Sequence, residues 1–331
     1  MPSRRAFLGT ASAALLAACA EQTPRANRAA VSLLNVSYDP TRELYAEINP
    51  AFARFWQAEH GPVSIAMSHG ASLAQARAVI DGEPAQVVTL ATPYDIDVIA
   101  ERGLINRNWQ ARLPNNSAPY TSIIVFVVRQ GNPKRISDWP DLISDDVAVI
   151  SPDPKTSGGA RWAYLAAWAF AQRRTRIEPR VFVQRLFANA AELATGARAA
   201  TESFHGGAGD VLLAWENEAH NLVAQGGFQI VTPSLSIRAE PAVAVVDANT
   251  RASNVRAAAD AYLEFLYTLD AQEIIARNFY RPFDAGVLQH NESRFPSVPL
   301  VTVEDAFLSW HDAYQTHFRD GGVFDQIRAA P

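Results

Sequence analysis

The chain has 331 residues, 48% of them hydrophobic and 19% charged, a balance that suits a globular protein with enough chain for one large or two medium cores. Its 34 acidic residues outnumber 29 basic ones and no basic cluster stands out, which argues against nucleic acid as a partner. A single cysteine leaves nothing for a disulfide framework, so stability has to come from burial.

Met1 to Thr10 is a basic leader, and the apolar run from Ala6 to Ala18 is well short of the ~20 residues that span a bilayer. The segment reads as a signal peptide, not a membrane helix. Ser3-Arg4-Arg5-Ala6-Phe7-Leu8 has the form of a twin-arginine export signal. Leu16-Ala17-Ala18-Cys19 has the form of a lipobox, in which the Cys19 thiol is acylated and becomes the new N-terminus. Residues 1–18 are thus expected to be removed and residues 19–29 to act as a tether, placing the protein in the periplasm with the lipid at Cys19 as its membrane contact. Loss of Arg4 and Arg5 takes the formal charge from −5 to −7.

Past the tether, short apolar strands alternate with helical segments, the pattern of an α/β fold. Strands are expected at Val31–Val36, Pro62–Met67 and Gln86–Ala91. Each is followed by a helix, at 41–60, 72–80 and 95–102. The first helix carries Leu44, Tyr45, Ile48, Phe52, Phe55 and Trp56 at helical spacing. Leu113 to Pro119 is rich in turn formers, and the β-branched run Tyr120–Val128 reads as a crossing into a second lobe. There the α/β rhythm resumes with strands at 147–150 and 211–214 and helices at 158–173 and 179–189. Ala242–Val246 is a return strand to the first lobe, followed by helices at 255–268 and 271–278. The reading gives a first lobe of residues 30–115 and 238–285 and a second of residues 116–237 and 286–331. Two lobes joined by two crossings form a hinged protein that closes on a ligand.

Four loop-to-helix junctions carry the candidate chemistry, because backbone N–H groups at a helix start are free to bind an anion. They are Tyr38-Asp39-Pro40-Thr41, Ser68-His69-Gly70-Ala71-Ser72, Lys155-Thr156-Ser157-Gly158-Gly159-Ala160-Arg161 and Thr195-Gly196-Ala197-Arg198. Pro40 suits a first helical position, and the paired glycines let the backbone approach a ligand closely. Any one junction is commonly just a capped helix; four at strand ends in two α/β lobes point to a site in the crevice.

Several longer segments carry a resemblance. Leu33 to Leu44, Leu113 to Ser122, Lys155 to Trp162, Ala214-Trp-Glu-Asn-Glu-Ala219 and Asn278-Phe-Tyr-Arg-Pro282 resemble, in order, the periplasmic sulfate- and thiosulfate-binding proteins that serve ABC importers. The likeness runs from about Leu33 to Ile327. It implies a two-lobed periplasmic-binding-protein fold of type II with the ligand in the cleft, and a monomer that hands sulfate or thiosulfate to a membrane permease without any cofactor. That family holds the anion without metal or counter-charge. Transferred here, the amide donors fall at Asp39, Ser72, Gly158, Gly159 and Ala197, the hydroxyl donor at Ser157 and the indole donor at Trp215. Without the resemblance, Trp215 reads as a core tryptophan at a strand end.

A donor-only site suits a dianion that carries no proton, since the hydroxyl of monohydrogen phosphate would be buried without an acceptor at about 1–3 kcal/mol. Asp39 is then expected to keep its carboxylate paired away from the anion. The chain departs from the family in having Gly70-Ala71-Ser72-Leu73-Ala74 where Gly-Gly-Ser-Gly-Lys is usual, and Ala199 where a glycine is usual. If those glycines need positive φ, the replacements carry strain. The alternatives are another tetrahedral oxyanion such as molybdate, or a diverged binding lipoprotein acting as a sensor or adhesin. An enzyme is not expected: no Gly-x-Ser-x-Gly elbow is present, and Ser68-His69 is not triad geometry. The seven histidines are scattered without metal-ligand spacing, and His69 reads as a loop or packing residue.

Overall fold

The computed structural model describes residues 30–329. The signal peptide, twin-arginine motif, tether and Cys19 lie outside those residues.

The chain opens with β1 (Val31–Tyr38), a turn of 3-10 helix at Asp39–Thr41 and α1 (Arg42–Gln57). Two further units follow: β2 (Val63–Gly70) with α2 (Ser72–Ile80), and β3 (Val87–Leu90) with α3 (Pro93–Glu101). β1 lies between β2 and β3 and pairs in parallel with both. On α1, Leu44, Tyr45, Ile48, Phe52 and Trp56 are buried against the sheet, as the spacing predicts. Burial of each large apolar side chain contributes roughly 1.5–3 kcal/mol. Phe55 is the exception at 54% exposed: it shares the angular sector of Ile48 and Phe52 but lies in the last turn of the helix, where its ring meets Phe265 and Phe52 with centroids 5.3 and 6.4 Å apart.

A short irregular turn, α4 (Pro114–Ser117), has Asn115, Asn116 and Ser117 all at positive φ. The chain then crosses through β4 (Tyr120–Thr121) and β5 (Ile124–Arg129) into a second sheet. Its other strands are β6 (Val149–Pro152), β7 (Ala190–Ala194), β8 (Val211–Trp215) and β9 (Phe228–Val231), in the order β7-β6-β8-β5-β9. Helices α5 (Gly158–Arg174), α6 (Pro179–Ala188), α7 (Ala197–His205) and α8 (Glu216–Val223) belong to this half. β10 (Ser236–Ile237) and β11 (Ala242–Val245) bring the chain back, and β11 completes the first sheet antiparallel to β3. Where the two crossings pass, Ser122 and Ala239 exchange backbone hydrogen bonds of 2.9 Å in both directions.

Helices α9 (Ser253–Phe265) and α10 (Leu269–Arg277) rejoin the first core, and β12 (Arg281–Pro282) pairs with β4. α11 (Ala285–His290) stays close to α10, with Val287 and Phe295 packed on Ala276. The chain then passes over a third time, after α11. β13 (Leu300–Val301) pairs with β10, and α12 (Val303–Phe307), α13 (Trp310–Ala313), a π turn at Tyr314–Phe318 and α14 (Val323–Ala329) follow. The cause is apolar: Phe318 and Phe324 pack edge-on against Tyr164 of α5, and Phe324 also packs on Phe187 of α6.

Candidate functional site

Four helix starts converge. Tyr38, Asp39 and Pro40 from the end of β1, Gly70, Ala71 and Ser72 from the β2–α2 junction, Ser157, Gly158 and Gly159 at the head of α5, and Ala197 at the head of α7 line one pocket, with Ala91 behind β3. The first N–H groups of a helix have no intrahelical acceptor. At three of these starts the residue before the helix, Tyr38, Ala71 and Gly196, makes no side-chain capping bond. At the fourth, Ser157 Oγ accepts from the Ala160 N–H at 3.3 Å. That use of a lone pair leaves its O–H proton free to donate. The positive ends of several helix dipoles therefore meet where backbone donors are unsatisfied by side chains.

The two glycines of α5 permit this closeness. A Cβ on Gly158 would lie 2.6 Å from Ala91 Cβ and 3.2 Å from Ser72 Cβ. On Gly159 it would lie 2.2 Å from Trp215 Nε1. Trp215 ends β8, is 2% exposed and packs on Tyr38 with ring centroids 5.5 Å apart. Its indole N–H has no hydrogen-bond partner among the described residues. Such a donor is an exception among buried polar groups and calls for a reason. The core Trp56 has an unpartnered indole N–H among the described residues as well, so what sets Trp215 apart is its place beside Gly159.

The arginines in these turns are all committed to carboxylates. Arg42 donates to Asp39 Oδ1 at 2.7 Å, so the Asp39 carboxylate is paired as expected, and it also reaches the His69 carbonyl at 3.3 Å. Arg161 NH1 donates to Asp95 Oδ1 at 2.9 Å in a pair that is almost completely buried, and its Nε donates to the Pro154 carbonyl. Asp95 Oδ2 accepts from Ser72 Oγ at 2.6 Å, which in turn accepts from the Ala91 N–H at 3.0 Å. Arg198 donates to Glu43 at 2.9 Å and lies 3.5 Å from Glu218. Burial raises the Glu218 carboxyl above the usual range, with Arg198 opposing. Burial lowers the His69 imidazole, and Arg42 lowers it further. The pairs Asp95–Arg161 and Glu43–Arg198, with Trp162 Nε1 donating to the Ala91 carbonyl at 2.7 Å, tie residues of the first half to residues of the second. Removing one member of a buried pair strands the other charge, at about 3–5 kcal/mol.

The structure thus brings six of the seven expected ligand residues, Asp39, Ser72, Ser157, Gly158, Gly159 and Ala197, into one pocket, with Trp215 immediately behind Gly159. Ala71 has φ −61°, and neither Leu73 nor Ala199 is at positive φ. The anticipated strain is absent because these positions are extended or helical, conformations open to any residue. His69 is not in a loop: β2 runs on to Gly70, in register with Tyr38. Reading the sequence missed Asp95 and Arg161 as partners, because nothing local links residues 66 positions apart. It also passed over Ala91, which lines the pocket just beyond the end of β3.

Comparison with known proteins gives the family and the fold. Residues 34–281 match the family described as bacterial extracellular solute-binding protein. The chain is 53% identical over 305 residues to the sulfate-binding protein of Salmonella typhimurium, covering 90% of this chain and 93% of that one. It is 49% identical over 310 residues to the thiosulfate-binding protein of Pseudomonas aeruginosa, covering 91% and 93%. Among solved structures it resembles the sulfate-binding protein SubI from Mycobacterium tuberculosis H37Rv, with TM-score 0.79, 33% identity and coverage of 86% and 98%. AfuA from Actinobacillus pleuropneumoniae, at 18% identity and TM-score 0.60, shares the fold. No helix among the described residues is long and apolar enough to cross a membrane. A two-lobed α/β fold, a cleft of helix starts and relatives at about half identity over nine-tenths of the chain place this protein in the bacterial extracellular solute-binding family, in the branch that contains the sulfate- and thiosulfate-binding proteins.

Proposed function

We propose that the pocket holds one fully ionised tetrahedral oxyanion, sulfate first and thiosulfate second, and that the protein delivers it to an ABC-type import permease without catalysing a reaction on it. The observation that carries this reading is the buried Trp215 N–H, unpartnered among the described residues and beside Gly159, at the meeting point of four helix starts, three of which lack side-chain caps. The donors are the backbone N–H groups of Asp39, Ser72, Gly158, Gly159 and Ala197, the Ser157 hydroxyl and the Trp215 indole. Two features support a dianion without a proton: the pocket offers donors from every side, and the neighbouring carboxylate of Asp39 is committed to Arg42. The names of the Salmonella and Pseudomonas relatives support the same ligands.

Export through the twin-arginine signal and anchoring in the periplasm through Cys19 complete the reading, with the protein acting as a monomer. Calorimetric titration with sulfate, thiosulfate, molybdate and phosphate tests the ligand; no heat of binding for sulfate or thiosulfate refutes it. Mass spectrometry of the mature N-terminus tests the anchor, which fails if the chain begins unmodified at another residue.

A further inference from the structure

The C-terminal segment reaches back across the cleft. Its π turn at Tyr314–Phe318 is an uncommon element that often marks a functional position. The turn is seated on the second core through His317 and Phe318, both packed against Tyr164 of α5. Tyr314, its first residue, stacks face to face on Tyr94 of α3, with ring centroids 3.8 Å apart and planes at 14°. Tyr94 is in the first turn of α3, one residue before Asp95. The guanidinium of Arg161, already bonded to Asp95, lies 5.3 Å from the Tyr314 ring. Tyr94, Asp95, Arg161 and Tyr314 therefore form one contact, with two members from the first half and two from the second. Arg161 is in the same first turn of α5 as Gly158 and Gly159.

We propose that Tyr314 is a positioning residue for the bound anion: its stack on Tyr94 and its contact with Arg161 hold the head of α5 against the first lobe, and so set how slowly the anion leaves. Separation of the lobes has to break this stack, whereas the open form makes no use of it. The inference rests on the reading of the pocket as an anion site enclosed by the two lobes. Aromatic pairs in offset or edge-on contact correspond to about a three- to tenfold change in release rate, and the face-to-face pair of Tyr94 and Tyr314, with Arg161 beside it, is expected within that range.

The test uses the whole chain, with sulfate as the probe and tryptophan fluorescence as the signal in stopped-flow release. Tyr314→Ala and Tyr94→Ala are each expected to release sulfate about three- to tenfold faster. Tyr314→Phe keeps the ring and is expected to release it at the wild-type rate. The double alanine variant should release no faster than Tyr314→Ala alone, because that variant already removes the whole of the Tyr94 stack. Wild-type release from both alanine variants, or additive acceleration in the double variant, overturns the proposal while leaving the anion site standing. A wild-type chain that does not bind sulfate overturns the anion site and the positioning role together. A merely structural role would lower the melting temperature of the ligand-free variants and leave the release rate unchanged.

Discussion

Gly158→Ala is a wedge placed between the lobes. The new Cβ would sit 2.6 Å from Ala91 Cβ, 3.2 Å from Ser72 Cβ and 3.3 Å from Asp95 Oδ2, all groups on the opposite side of the pocket from α5. Carbon atoms in good contact are about 3.5–4.0 Å apart, so the head of α5 has to withdraw by about 1 Å. Ala91 Cβ is fixed to its backbone and cannot swing away, and withdrawal would lengthen the Asp95–Arg161 bond and every amide contact to the anion. Overpacking of this kind costs about 1–3 kcal/mol. Because it arises only when the lobes meet, it should appear in binding: sulfate affinity falls about 5- to 150-fold. The ligand-free protein should melt at or slightly above the wild-type temperature, since alanine restricts the unfolded chain more than glycine and Gly158 has no positive φ. Calorimetry and thermal melts of the same preparations, with and without sulfate, make the comparison. Wild-type affinity, or a ligand-free melting temperature that falls in step with affinity, refutes the reasoning.

Ser157→Ala removes one hydroxyl donor and keeps the backbone amides, so sulfate binding should weaken by about 1.5–3 kcal/mol in a titration. Trp215→Phe deletes the orphaned indole N–H and keeps most of the contact with Tyr38; affinity should drop by a similar amount while the ligand-free melting temperature changes little, and the reverse pattern would return Trp215 to the core. Burial holds the His317 imidazole at about 4, below its ordinary 6.5, while its Nδ1 meets the Tyr164 hydroxyl at 2.9 Å. Between those values the unfolded chain binds the extra proton, so this contribution is complete above about pH 6.5 and is lost as pH falls toward 4, roughly 3 kcal/mol in all. Urea unfolding of wild type and His317→Asn at pH 7 and 4.5 checks it, the variant losing less stability on acidification.

Much of the first half is legible from pattern alone. Its strands are apolar runs, its helices carry a clean stripe, and the bounds of α2 match the expected ones. In the second half, β7, α7 and α8 are mixed in polarity: α7 buries only Ala200 and Phe204, and α8 buries Glu216, Asn217 and Glu218 along with Ala219 and Leu222, so no apolar run marks these elements. Glu216 is buried because Arg281 holds it by two bonds of 2.7 Å, a partner 65 positions away. The same limit governs the site. The four junctions are visible as local chemistry, but that Gly158 touches Ala91, or that Asp95 joins Ser72 to Arg161, depends on lobes meeting in space. Trp215 shows the limit most plainly: Val-Leu-Leu-Ala-Trp is a core strand by every local measure, and only the geometry beside Gly159 separates an indole donor from a packing residue.

The central claim is a pocket made of donors, which selects a tetrahedral dianion carrying no proton. Its most direct measurement is the calorimetric Kd of sulfate and of phosphate, side by side, from pH 6 to pH 8. Sulfate should bind with nearly constant affinity across that range, because the anion is already ionised and no pocket donor has to titrate. Phosphate should bind about 5- to 150-fold more weakly, reflecting roughly 1–3 kcal/mol for a hydroxyl buried without an acceptor. Equal affinities for the two anions would contradict the account.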